Sequence, residues 1–136
     1  MRVLSADRIV VTDESHIVVA RQRAGLAAKR MGMGVLDQTK MATATSELAR
    51  NIVRYAKSGE VLIEEIEQNG RSGLRVTFTD RGPGIPDIEL AMRDGFTTGA
   101  GMGLGLSGSK RLVNEFEINS EVGVGTTVVI KKWKNI

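Results

Sequence analysis

Four short patterns in this 136-residue sequence carry residue types able to do chemistry. Glu47 and Asn51 stand four residues apart, which puts both on one face of a helix. A carboxylate there suits a general base, and an amide oxygen one turn on suits Mg²⁺. Asp80 is followed by Gly82 and Gly84. A carboxylate at a strand end, before glycines that let a ligand approach the backbone, suits recognition of an exocyclic amine such as adenine N6. Gly101, Gly103 and Gly105 alternate just before a helix, where exposed amides and the positive dipole end favour an anion. Gly125-Thr126 opens the last strand, with a hydroxyl that suits the side of a nucleotide base. Each pattern alone also fits a plainer role: a solvated helix face, an Asp-Gly-Pro turn, a loop before a helix, a hairpin turn. Gly103, Gly105 and Gly108 spell a literal G-x-G-x-x-G, but it follows a loop late in the chain. A dinucleotide fingerprint needs a strand directly before it, so that reading is rejected.

The elements that must hold these residues follow from periodicity. Asp7–Thr12 is rich in β-branched residues and reads as a strand. Between His16 and Met31, Ile17, Ala20, Ala24, Ala27 and Ala28 recur at helical spacing, and Gly32 and Gly34 stop the helix. Leu36–Ala56 is a longer helix with Ala44, Leu48, Ile52 and Ala56 in an i, i+4 stripe. Glu60–Gln68 and Leu74–Thr79 are strands around the turn signal Asn69–Gly73. Pro86 suits the first turn of a short helix through Arg93. Leu104–Phe116 reads as a helix, and Glu117–Glu121 and Thr126–Lys132 as the last two strands. Paired strands joined by tight turns, with helices between, imply an α+β two-layer sandwich with a mixed, mostly antiparallel sheet, in a single domain spanning 1–136.

Composition excludes other chemistries. There is no cysteine, so no disulfide and no thiolate site, and one histidine, His16, leaves no multi-histidine zinc centre. Net charge is +3 and aromatics are 4%, too few for a base-stacking platform, so nucleic acid is not an expected partner. No apolar run reaches membrane-spanning length and the N-terminus has no apolar block, so a cytoplasmic protein without a membrane partner is expected. The sixteen glycines are unusual, six of them between Gly95 and Gly108.

In order and spacing, Glu47-x-x-x-Asn51, Asp80-x-Gly82-x-Gly84, Gly101-x-Gly103-x-Gly105 and Gly125-Thr126 resemble the conserved boxes of the GHKL (Bergerat-fold) ATPase and kinase superfamily. The likeness runs over essentially the whole chain. It is greatest to the anti-sigma-factor serine kinases and, within them, the stressosome switch kinases, in the segments Ser46–Ile52, Asp80–Asp87, Asp94–Thr98 and Leu112–Phe116. The resemblance implies the Bergerat sandwich and a Mg·ATP-dependent serine/threonine kinase. Glu47 would activate the acceptor hydroxyl and Asn51 would hold Mg²⁺. Asp80 would take the adenine amine, with Gly82 and Gly84 shaping that pocket. Gly101, Gly103 and Gly105 would close over the phosphates, and Thr126 would support the base. The implied partner is a STAS-domain substrate in a stress-response pathway, with a downstream phosphatase or cyclase. The alternative is an anti-sigma factor that sequesters a sigma subunit and phosphorylates its antagonist. One departure stands out. Related kinases carry an arginine before the lid glycines, and Thr98-Gly99-Ala100-Gly101 has no basic residue, which leaves Lys110 or Arg111 as candidates for stabilising charge. Arg21, Arg23 and Arg30 of the first helix are candidates for a basic rim facing the partner.

Overall fold

A computed structural model describes residues 1–93 and 105–134. The order of elements is β1 (Arg2–Val11), α1 (Glu14–Arg30), α2 (Val35–Asn51), β2 (Gly59–Gln68), β3 (Arg71–Asp80), α3 (Ile88–Ala91), α4 (Leu106–Leu112), β4 (Glu115–Glu121) and β5 (Gly125–Trp133). The strands form one sheet in the order β1-β2-β3-β5-β4, and every pairing among the described residues is antiparallel. Alternation decides which face is buried. Val76 of β3 lies opposite Ile63 of β2 on one side and Ile130 of β5 on the other, and all three are buried. Ile9, Val11, Phe78 and Val128 extend this apolar layer. The helices cover it with small residues from α1, including Ala20, Ala24 and Ala28, and with Met41, Ala44 and Leu48 of α2. Alanines on α1, buried at Ala20, Ala24, Ala27 and Ala28, let this helix approach its neighbours closely.

Several boundaries differ from the sequence expectations, most of them where strand pairing extends or stops an element. β1 begins at Arg2, not Asp7, because Arg2–Ala6 pair along Glu64–Glu67 of β2 at the edge of the sheet. The second helix is α-helical only to Asn51 and continues as a π-helical turn, Ile52–Ala56, closed by Lys57 at φ 71°. The hairpin turn is Asn69-Gly70 alone, both with positive φ, and Ser72 and Gly73 already belong to β3. The helix expected over Leu104–Phe116 ends at Leu112, among described residues that begin at Gly105. There Val113 turns extended, the Asn114 N–H donates to Lys131 O, and Phe116 pairs with Ile130 as part of β4. Pro86 lies outside α3. Asp87 is the cap, its side chain accepting from the Leu90 N–H.

Candidate functional site

A cavity of about 310 Å³ opens between the end of α2, the turn after β3, α3, the start of α4 and β5. Its walls are mostly apolar, among them Leu48, Ile52, Phe78, Ile85 and Val128. Asn51, Asp80, Asp87 and Thr126 supply polar groups. That balance and size suit a planar organic group oriented by a few hydrogen bonds. The π-helical turn is part of the construction. By widening the last turn of the helix it keeps Ile52 in the core while Tyr55 and Ala56 reach the cavity wall.

One end of the cavity is built around Asp80. Its Oδ1 accepts from the Gly82 N–H at 2.9 Å and from the Thr126 N–H at 3.2 Å, which fixes the carboxylate between its own turn and β5. The turn itself is held from outside. The Gly123 N–H donates to Pro83 O, and the Ile85 N–H donates to Ser120 Oγ at 2.8 Å. Ser120 Oγ also lies 2.8 Å from Thr126 Oγ1, so the two hydroxyls share a hydrogen bond beside the cavity. The space at Gly82 and Gly84 is taken by protein. A Cβ at Gly82 would lie 2.6 Å from Ala56 Cβ, and one at Gly84, where φ is 78°, would lie 2.4 Å from Glu121 O. These glycines let the turn dock on the helix end and on the β4–β5 hairpin. Gly84 also lines the cavity, whereas Gly82 stands behind it.

The other end is built from helix side chains. Asn51 lines the cavity, and Glu47, one turn earlier, stands at its margin outside the lining. Glu47 Oε1 accepts from Arg50 Nη1 at 3.1 Å. Gly105, at φ 68°, caps α4 and comes against Glu47: a Cβ there would lie 2.8 Å from Glu47 Oε2. The structure therefore brings Asn51, Asp80, Gly84 and Thr126 into the wall of one cavity, with Glu47 and Gly105 packed against each other outside that wall. Gly101 and Gly103 lie outside the described residues. Lys110 and Arg111 sit in the last turn of α4, the far end from Glu47. Arg23 pairs with Asp7 of β1 at 3.0 Å and Arg30 lies 3.7 Å from Glu65 of β2, so both serve the joint between α1 and the sheet edge, away from the cavity. Sequence reasoning missed Ser120, Tyr55 and Arg50. Tyr55 had a signal, its place four residues after Asn51; Ser120 had none short of the hairpin register.

Among the described residues no three His, Cys, Asp or Glu come together as a metal-binding group. A magnesium ion at Asn51 would take an amide oxygen from the protein and draw its remaining ligands from phosphates and water, the usual habit of that ion. No helix among the described residues is long and apolar enough to cross a membrane.

The fold and the cavity define a nucleotide-binding module of known type. The chain belongs to the family of histidine kinase-, DNA gyrase B- and HSP90-like ATPases, whose family model matches residues 36–135. Within that family it is 48% identical over 123 residues to the serine/threonine-protein kinase RsbT of Bacillus subtilis (strain 168), covering 90% of this chain and 92% of that protein. It is 35% identical over 103 residues to the anti-sigma F factor of Geobacillus stearothermophilus, covering 71% of this chain and 69% of that one. Two solved structures share the fold. The RsbU and RsbW domains of a Mycobacterium tuberculosis protein match with a TM-score of 0.66 at 18% identity, over 97% of this chain and 33% of that chain. The catalytic domain of the histidine kinase ThkA matches with a TM-score of 0.58 at 17% identity, over 94% of this chain and 96% of that one. The chain is a nucleotide-binding serine/threonine-protein kinase of the partner-switching kind.

Proposed function

We propose that the cavity holds Mg·ATP with the adenine at the Asp80 end, and that the chain, as one unit over residues 1–136, transfers the γ-phosphoryl to a serine or threonine of a STAS-domain protein. The observation that carries this reading is the Asp80 carboxylate: it stands at the end of an apolar slot, fixed through Oδ1 by two backbone N–H groups, with Thr126 beside it. A carboxylate oriented in this way suits the adenine amine, which donates where guanine presents a carbonyl. Asn51 would face the phosphates with Mg²⁺, which supplies charge neutralisation when bound. Glu47 would take the proton of the acceptor hydroxyl. Gly105, with Gly101 and Gly103, would border the phosphates, and Gly82 and Gly84 keep the base-side turn in place.

Phosphorylation of the STAS partner would release the kinase to engage a downstream phosphatase or cyclase in the cytoplasm, as part of a stress response. The test is incubation of the chain with γ-labelled ATP, Mg²⁺ and STAS-domain proteins encoded beside it, followed by phosphosite mapping. Label on one serine or threonine of such a protein is the expected result. ATP hydrolysis with no protein labelled would reduce the reading to an ATPase. The identity to an anti-sigma F factor favours a second reading, sequestration of a sigma subunit. Co-purification of a sigma subunit with the chain would select it.

A further inference from the structure

We infer that Arg50 is a positioning residue for Glu47, holding one carboxylate oxygen so that the other, Oε2, is the one that meets the acceptor hydroxyl. The inference rests on the reading of Glu47 as general base. The two oxygens of Glu47 have different neighbours. Oε1 is engaged by Arg50 Nη1 at 3.1 Å. Oε2 is turned to Gly105, the residue that closes the glycine motif and opens α4. Glu47 is 43% exposed and stands at the margin of the cavity, so nothing like a tight pocket wall fixes its rotamer. Arg50, itself 33% exposed, is the cation bonded to it. A base left free to swing among rotamers presents an oxygen to the reacting hydroxyl only part of the time, and a misplacement of about 1 Å costs up to roughly 100-fold in rate.

The rest of the sequence sharpens the argument. No Lys or Arg lies between Arg93 and Lys110, so the glycine motif brings no cation of its own. Lys110 is five residues beyond Gly105, about 7.5 Å along the helix axis from the end that abuts Glu47. In the transfer step the acceptor oxygen bonds to the γ-phosphorus as the bond from that phosphorus to the β–γ bridging oxygen breaks. The electron pair leaves with ADP, and the hydroxyl proton passes to Glu47 Oε2. Arg50 keeps its charge and its grip on Oε1 throughout.

As an i, i+3 pair with both side chains partly exposed, Arg50–Glu47 adds little to folding. A purely structural role would therefore leave turnover alone. The test measures ADP formation from Mg·ATP by the full chain, which reports transfer to a protein hydroxyl or to water alike. Arg50→Ala is expected to lower kcat about 10- to 100-fold with KM for ATP unchanged. Only one guanidinium nitrogen is engaged, so Arg50→Lys is expected to recover most of that loss. In a Glu47→Gln background, Arg50→Ala should cost nothing further, since the two act as one unit. Wild-type kcat in Arg50→Ala, a loss confined to KM, or an equal loss in the Glu47→Gln background would each overturn the inference while leaving Glu47 as base. Wild-type turnover in Glu47→Gln itself would remove the general base and, with it, the role of Arg50.

Discussion

The two ends of the cavity are built from different materials. At the Asp80 end, backbone does the holding. Two N–H groups fix one carboxylate oxygen, and the chain passes so close that glycine is required, as at Gly125, where a Cβ would lie 2.1 Å from Asp80 O. At the Glu47 end, a side-chain ion pair one helical turn long does the same job, with both partners partly in water. Backbone donors in a packed turn cost no side-chain entropy and do not wander. An exposed ion pair is weaker and can be remade. The contrast matches the two tasks proposed for these ends. Recognition of a base needs one fixed geometry in every complex. A transfer site must admit an incoming hydroxyl and release it phosphorylated.

Four experiments can break or sharpen this contrast. The largest effect belongs to chemistry at the adjustable end. Glu47→Gln should lower phosphoryl transfer by roughly 10²–10⁴-fold while ATP affinity by calorimetry stays near wild type. A parallel loss of affinity would show that the two ends are not separable. Next comes recognition at the fixed end. Asp80→Asn can still accept from Gly82 and Thr126, but it points an amide N–H₂ at the adenine amine. ATP affinity should drop about 100-fold with the urea midpoint little changed. If ATP binds Asp80→Asn as well as wild type, the base does not lie at this end.

Gly125→Ala probes the cost of a site made from backbone. Its Cβ would meet Asp80 O and, at 2.9 Å, Arg81 Cα, so the hairpin or the turn must move. A loss of about 2–4 kcal/mol in urea unfolding is expected, together with weakened ATP binding. Full stability would mean that the close approach is easily relaxed and the fixed end is softer than argued. The smallest effect lies at neither end. Asp13 caps α1, accepting from the Ser15 N–H at 2.8 Å and from the Ser15 hydroxyl. That hydroxyl above all holds the Asp13 carboxyl below its ordinary range, with burial opposing and His16 adding a minor favourable charge. A lowered carboxyl stabilises the fold above the unfolded-state value and loses that contribution as pH falls through the folded one. Urea midpoints measured downward from about pH 5 should therefore decline slightly less steeply in Asp13→Asn. Identical slopes would show that the cap does not couple to folding.

The sequence by itself determined the layers and the faces on which the candidate site residues stand. Alternation in Leu74, Val76 and Phe78 chose the buried face of β3, and the alanine spacing of α1 chose its own, because side-chain direction follows from local backbone period alone. The same rule put Glu47 and Asn51 on one helix face, and the strand end put Asp80 before its turn. What local period does not contain is the identity of the neighbour that arrives from far along the chain. The glycines after Asp80 looked made for a ligand, yet Ala56 and Glu121 fill their space. The helix expected to run to Phe116 stops at Leu112, where Asn114 and Phe116 join β5, and Lys132, reaching across from β5, donates to Leu112 O at 3.3 Å. Ser120 became a support of Thr126 only through the register of β4 on β5. Spacing fixes where a side chain points. Which group meets it there is fixed by packing and long-range pairing, whose free energies exceed the local preferences they override.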